Sequence, residues 1–444
     1  MRAPDGQAAL AHARRREDEV VRFLRELIAI PAESGHEKDR CERIKREYEV
    51  LGFEDVRFDD LGSVVAHLGD GPFTVLMDGH TDCVGVGDPS AWSYDPFQGK
   101  LEDGRVYGRG AVDELPAIAC MAYGARILAE RGLPEGVRLV LVASVMEENC
   151  DGYALMHLIE KEGIRPHTVV LGEPTNLGVY RGHRGRMGIE VVARGVAAHS
   201  AYCERGINAV YKLAPIIADI EALNHRLPTD PFLGHGTVTV SWVDCESPSY
   251  NAVPDQARIV LDRRLTAGES PADVLAQIRA LPHIGDAEVR VLRWEGRSWT
   301  GLPVSQEQAF PAWVLPEEHP VVDGVVAGVE AVLGRRPAIS LWPFSTNGVA
   351  TMGRLGIPTV GFAPGREELA HTTGEWVAVE DLVKATAAFS LIPECLSERK
   401  DVAIGLPPAR PPRARDAFAR TRRTRTKRAL PVRRLLIGSA AVKK

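Results

Sequence analysis

The chain has no run of about 18 apolar residues, which argues against a membrane-spanning helix. It begins MRAPDGQAALAHARRRE, turning polar before an apolar signal region can form, so no signal peptide is expected. It has no C-x-x-C pair. The seven cysteines (Cys41, Cys83, Cys120, Cys150, Cys203, Cys245 and Cys395) are odd in number and widely scattered. That excludes a disulfide framework and a zinc–thiolate site, and fits a reducing cytoplasm. GRG at 108–110 stands without the rest of a dinucleotide fingerprint, and neither a P-loop nor a G-x-S-x-G elbow occurs. Internal repeats are missing too. What remains is 444 residues, 45% hydrophobic and 26% charged, an ordinary globular composition with length for two or three domains.

The charge is uneven. Of 54 basic and 60 acidic residues, 14 basic and 2 acidic fall between Lys400 and Lys444, leaving 40 and 58 in the body. An acidic body disfavours a nucleic-acid substrate. The Arg- and Pro-rich tail, 399–444, reads as a disordered, solvated appendage. A nucleic-acid-associated role could rest on that tail alone.

Two amphipathic helices are expected at 17–30 and 38–51. Strands at 64–68, 73–80, 137–145 and 167–173 then alternate with helices at 116–131 and 152–162, which indicates an α/β unit with a mostly parallel sheet. From Gly185 the rhythm changes. A strand at 186–194, a helix at 207–222, strands at 236–243 and 256–265, a helix at 271–281 and a strand at 287–294 give the β-α-β-β-α-β order of a ferredoxin-like α+β unit. The α/β pattern resumes with a helix at 320–334, a strand at 357–363 and a helix at 379–392. The division is therefore 1–184 and 297–398 for a large domain, with 185–296 inserted into it.

Acidic residues and histidines cluster where these strands end. His80 and Asp82 close FTVLMDGHTD, Glu147 and Glu148 follow VRLVLVASVM, Glu173 follows HTVVLG, Asp113 sits in GRGAVDELP, and His371 follows the late strand. Ligands of open α/β sheets gather at the carboxyl ends of the strands, so these residues should converge. Singly each is a cap or turn residue; together they form a set of acids that would repel itself without divalent cations. Imidazole and carboxylate without thiolate suit zinc and tolerate cobalt or manganese.

The stretch GHTDCVGVGDPSAWSYDPFQGKLEDGRVYGRGAVDE, with MEEN, LGEPT and AHTTGE after it, resembles the co-catalytic zinc family of carboxypeptidase G, succinyl-diaminopimelate desuccinylase, acetylornithine deacetylase and aminoacylase. EENCDG, VYRGHRGRM, SWTGL and FSTNGVATMGR are similar to a branch labelled YgeY-type hydrolases. The resemblance implies a zinc-peptidase-like catalytic domain with a lid and dimerisation domain, a homodimer, and two divalent metal ions. Asp113 would bridge them, His80 and Glu173 completing one site, Glu148 and His371 the other. Asp82 would orient His80, and Glu147 would be the general base. His199, in RGVAAHSAYCERGINA, would stabilise the oxyanion, often in the partner subunit's site. Asn251 and Arg264 would hold a substrate carboxylate, with Arg263 as alternate, because neighbours on a strand face opposite ways. Ser345, Thr346 and Asn347 fall at the family's specificity loop, or in a plain turn.

In one place the chain departs from the pattern. After Asp113 the family has a Lys or acidic residue followed by glycines; here Glu114, Leu115, Pro116 and Ala117 follow, and the missing glycines would bring side chains closer to the metals. The expected activity is metal-dependent cleavage of an amide, peptide or carbamoyl C–N bond in a small amino acid-like carboxylate, by an activated water. A catalytically silent binding protein on the same fold is the alternative, which Glu147 argues against. The tryptophans Trp92, Trp294, Trp299, Trp313, Trp342 and Trp376 are expected to pack rather than hold a cofactor.

Overall fold

The computed structural model describes residues 4–399, so the basic tail from Lys400 on lies outside the described residues. Among these residues no helix is long and apolar enough to cross a membrane.

A nine-stranded mixed sheet forms the large domain's centre. Val137–Ser144, Phe73–His80, Thr168–Leu171 and Thr359–Gly361 lie side by side and parallel. Antiparallel strands flank them: Val64–Leu68 and Glu54–Phe58 on one side, Val179–His183 and Trp313–Val314 on the other. Every residue of Phe73–His80 is buried, as in parallel strands covered on both faces. Helices Leu115–Arg131 and Val379–Ser397 pack so closely at Gly124 that a Cβ there would lie 2.7 Å from Phe389.

The small domain has its own five-stranded antiparallel sheet, four of its strands in the order Thr237–Glu246, Gln256–Leu265, Gly185–Arg194, Glu288–Val291. Helices Ala209–Asn224 and Pro271–Arg279 complete the β-α-β-β-α-β order. Strand alternation divides its faces. Met187, Ile189, Val191, Ile259 and Leu261 join the helices in a separate apolar core. Arg186, Glu190, Arg258, Asp262 and Arg264, separated by even numbers of residues along their strands, share the opposite face.

The strand expected at 287–294 stops at Val291, and a hairpin, Arg293–Arg297 with Pro303–Glu307, follows. Leu292 N–H donates to Gly188 O and Gln308 N–H to Leu292 O, closing the hairpin's base. The chain then returns to the small sheet, Ala309–Phe310 pairing with Met187 and Arg186. The hairpin's tip, the SWTGL stretch, docks on the large domain. Trp299 meets Phe58 edge-on at 5.3 Å and donates to Gly62 O at 3.2 Å, and Thr300 donates to Asp60 O at 2.8 Å. Gly62 has φ of 103°, and a Cβ there would fall 2.1 Å from the Trp299 ring, so only glycine fits.

Other elements lacked a sequence signal. Helix Gly6–Arg15, capped by the Asp5 side chain, buries only the small residues Gly6, Ala9 and Ala13. Val179–His183 is short and contains the YRGH polar run, yet the sheet enrols it between neighbours. The last helix continues through Pro393 to Ser397, past the expected end at 392.

Candidate metal centre

The strand ends carry the cluster. His80 is the last residue of its strand, Glu147 and Glu148 lie just beyond Val137–Ser144, and Glu173 lies two residues past Thr168–Leu171. Asp113 precedes helix Leu115–Arg131, and the Asp113–Glu114 peptide is cis. His371 arrives from the far end of the chain with φ of 62°.

Asp113 stands between the two imidazoles. Its Oδ1 lies 2.9 Å from His80 Nε2 and its Oδ2 lies 3.1 Å from His371 Nε2. On the first side Glu173 Oε1 comes within 3.9 Å of His80 Nε2; on the second Glu148 Oε1 comes within 3.3 Å of His371 Nε2. Glu147 Oε2 is 4.0 Å from His80 Nε2. Ligand atoms of His80, Asp113 and Glu148 all lie within 4.8 Å of one another, as do those of His80, Glu114 and Glu173. Glu114, absent from the sequence-derived set, thus reaches the first group, and also accepts from the His80 main-chain N–H.

The electrostatics call for cations. Burial pushes the carboxyls of Glu147, Glu173 and Glu114 well above the usual range. Neighbouring acids add to this: Asp151 for Glu147, and Glu114 and Asp113 for Glu173. Glu148 is raised by burial against the hydrogen bond from His371. Hydrogen bonds to Asp113 and Glu148 hold His371 at about 10. Burial opposes the charge on His80, but Glu114 and Asp113 hold its pKa well above the usual value. Burial works against the Asp113 carboxylate as well, yet His371 and His80 keep its pKa well below normal. Buried oxygens of Glu147 (Oε1) and Glu114 (Oε2) have no hydrogen-bond donor. Acids this crowded and under-satisfied fit divalent cations, and the donor set is of the N/O type zinc accepts. Cys83 lies nearby, but burial pushes its thiol to about 11, and it donates to Asp113 O at 3.6 Å.

A shell of buried partners fixes these groups. Asp82 does not orient His80 through its carboxylate as expected. His80 Nδ1 donates to the Asp82 main-chain oxygen at 2.9 Å, the carboxylate standing off at 3.6 Å. That carboxylate is already engaged: it accepts from the main-chain N–H of Glu147 (3.0 Å) and Glu148 (3.1 Å) and from Ser34 Oγ (2.6 Å). It holds the glutamate turn in place. Glu375, four residues past His371, was not singled out in the sequence. Its carboxylate accepts from the main-chain N–H of Gly110, Val112 and Asp113 and pairs with Arg109 at 2.6 Å. Asn347 is a buried clamp, donating to Asp78 and Ser144 and accepting from Gly152 N–H. Thr346 bonds His183, and Ser345 bonds Asp151. Trp342 donates to Pro174 O beside Glu173. Of the side chains that follow Asp113, Glu114 enters the cluster itself. Ala117 and Ile118 press on Gly172 and Gly79, where a Cβ would lie 2.6 and 2.8 Å away.

The small-domain candidates lie apart. His199, exposed, forms an isolated bridge with Ala252, and Ser200 N–H donates to Asn251 O, so His199 and Asn251 are neighbours. Arg263 points to the helix side and pairs with Glu269; Arg264 lies on the other face, both its Nε and Nη2 bound to Asp262. Among the described residues, none of His199, Asn251 and Arg264 is hydrogen-bonded or ion-paired to the cluster.

Comparison with known proteins gives the same outline. Residues 76–394 match the family described as Peptidase family M20/M25/M40. The uncharacterized Escherichia coli protein YgeY is 43% identical over 377 residues, covering 84% of this chain and 94% of that one. Succinyl-diaminopimelate desuccinylase of Methylobacterium nodulans is 31% identical over 352 residues, covering 76% and 84%. Among solved structures, aminopeptidase PepT of Bacillus cereus superposes with a TM-score of 0.66 at 22% identity, covering 86% of this chain and 99% of that one. The di-peptidase Dug1p of Saccharomyces cerevisiae gives 0.69 at 15%, covering 88% and 98%.

Proposed function

Because this chain belongs to peptidase family M20/M25/M40, a family of metal-dependent hydrolases, we propose that it hydrolyses an amide, peptide or carbamoyl C–N bond in a small amino acid-like carboxylate, using two divalent metals. The observation that carries this reading is Asp113 between His80 and His371, each imidazole with its own glutamate beside it. His80, Asp113 and Glu173 would hold one cation, and Asp113, Glu148 and His371 the other, zinc being the first candidate and cobalt or manganese alternatives. When bound, such ions polarise a carbonyl and acidify water.

The chain's own residues do the rest. Glu147, buried with one oxygen free, takes the proton from the attacking water and delivers it to the leaving nitrogen. Asp82 keeps Glu147 and Glu148 in register through their main-chain N–H groups. The test is hydrolysis of N-acyl, N-carbamoyl and dipeptide substrates by protein loaded with zinc, cobalt or manganese. Turnover should vanish with a chelator and return with metal. Chelator-insensitive turnover, or no turnover with any of the three metals, would refute the reading.

The same proposal includes a homodimer built through the small domain. In its support, Val196, Tyr202, Ile207 and Tyr211 are exposed on that domain, the Tyr202 ring 6.2 Å from that of His199. His199 would then complete the oxyanion site of the partner subunit. Inactive His199→Ala chains mixed with inactive Glu147→Ala chains should recover roughly a quarter of wild-type turnover, since half the dimers are mixed and each has one intact site. Mixed dimers without activity would place His199 in its own chain's site or outside catalysis.

A further inference from the structure

The end of the central sheet opposite the metal cluster carries a second group of polar side chains. Thr74 and Arg138 lie at the starts of the strands that end in His80 and Ser144, and they are register partners. His67 pairs with Val140, two residues beyond Arg138, and Arg57 pairs with Val65, two residues before His67. Paired residues, and residues two apart on a strand, share a face, so Arg57, His67, Thr74 and Arg138 lie together. Thr74 and His80 are six residues apart on one strand, about 20 Å at roughly 3.3 Å per residue. With Arg165, from the loop before Thr168–Leu171, these side chains line a cavity of about 250 Å³.

The covered face of such a sheet is ordinarily apolar, yet this one holds unused hydrogen-bond donors. His67 is 5% exposed. Its Nδ1 accepts from Arg138 Nε at 3.2 Å, which places the ring proton on Nε2. Burial and the Arg138 charge lower its pKa to about 4, so the ring is neutral. Asp55 Oδ2 stands 3.6 Å from Nε2, too far for a hydrogen bond. Arg57 is matched by Glu162 at 2.8 Å and by Asp55 at 3.4 Å. Among the described residues, Arg138 and Arg165 have no carboxylate partner. Both Nη atoms of Arg138 lack an acceptor, and Arg165 uses only Nη1, on the main-chain oxygens of Ile159 and Ile164.

We propose that this cavity binds a phosphate group, free or as a small phosphate monoester, at a site separate from the metal centre. The donors are His67 Nε2, the two Nη atoms of Arg138 and the free nitrogens of Arg165, brought together by two strands and a loop. Donors from three segments suit a tetrahedral anion with several acceptor oxygens. A carboxylate, with two oxygens in one plane, would serve one guanidinium and leave the other unpaired. Two guanidinium charges without carboxylates also match the charge of a phosphate monoester, about −1.5 to −2 near neutral pH. His67 and Arg138, held by the sheet and by each other, lose little freedom on binding.

The test is calorimetric titration of full-length, metal-loaded protein with inorganic phosphate and with glycerol phosphate at constant ionic strength, acetate being the carboxylate control. Phosphate can also ligate the metals, so the variants decide. The wild type should bind one equivalent that Asp113→Ala chains, expected to hold no metal, retain. Arg138→Met should weaken that equivalent by about 10- to 100-fold, the size of a lost hydrogen bond to a charged group, with metal content unchanged. Arg165→Ala alters an exposed side chain and should weaken it less; it serves as second variant should Arg138→Met fold poorly. Tighter binding of glycerol phosphate supports the site with the ester as its ligand, and the reverse order supports it with the free anion. Phosphate binding that disappears with the metals, or that is undiminished in folded Arg138→Met or in Arg165→Ala, overturns the site. Acetate bound as tightly as phosphate overturns the ligand.

Discussion

Glu147→Gln is expected to retain both metal equivalents and lose about 10²- to 10⁴-fold in turnover, the range for a general base. The substitution keeps the side chain's shape in a pocket where Glu147 is 6% exposed, so packing should not change. Glu147 belongs to neither of the close ligand groups, and its Oε1 has no donor. Its position is set by Asp82 through the main chain, a contact the amide leaves intact. What goes is the capacity to accept a proton. Metal analysis beside steady-state kinetics checks this. An active variant that has lost metal would mean that Glu147 and Glu148 have exchanged roles.

Asp113→Ala should have the larger effect: loss of both metals and of measurable turnover, because each imidazole loses the carboxylate it shares with the other. Stripping metal from the wild-type chain should expose the same dependence through pH. In the metal-free fold, burial keeps Glu147, Glu173 and Glu114 protonated well above 4.5, the value of an ordinary glutamate. The unfolded chain releases these protons near 4.5, so the fold grows less stable as pH rises above that. His371, raised to about 10 by Asp113 and Glu148, adds stability that is full below 6.5 and is lost as pH rises toward 10. Both contributions have the same sign. From pH 5 to 8 the melting temperature of chelated protein should fall. Metal-loaded protein needs ionised carboxylates and neutral imidazoles, so the gap between the two should widen with pH. Parallel melting curves would contradict this account.

How far the sequence disclosed the site depends on the distance over which each interaction acts. His80, Glu147, Glu148 and Glu173 follow apolar runs directly, a local signal, and the parallel sheet brings those run ends together. The small domain was legible for the same reason: its strands alternate, and Gln256–Leu265 and Gly185–Arg194 fall close to their expected limits. Alternation set Arg263 and Arg264 on opposite faces, but which face the helices cover is a tertiary fact. The acceptor of His80 Nδ1 depends on which way the Asp82 carbonyl turns, and no residue pattern encodes that. The Arg109–Glu375 pair joins points far apart along the chain, and each looks like an ordinary loop residue. Trp299 was read as packing, and its seat opposite Gly62 bears out that reading.

That Arg109–Glu375 link also bears on the order in which the protein is made. The loop presenting Asp113 takes its shape from a carboxylate 262 residues further on, and His371 emerges only just before it. On the ribosome, at about 5–20 residues per second, some 15–50 s pass between the two ends of this bond. For most of that interval the nascent chain carries His80 and Asp113, and then Glu148 and Glu173, without the clasp that fixes Asp113 and without the second imidazole. The inserted small domain, contiguous from Gly185 and with its own apolar core, can fold during the wait. Completion of the candidate metal centre is thereby deferred to the last tenth of the described chain, and a truncated product ending before His371 would have both domains begun and the cluster incomplete.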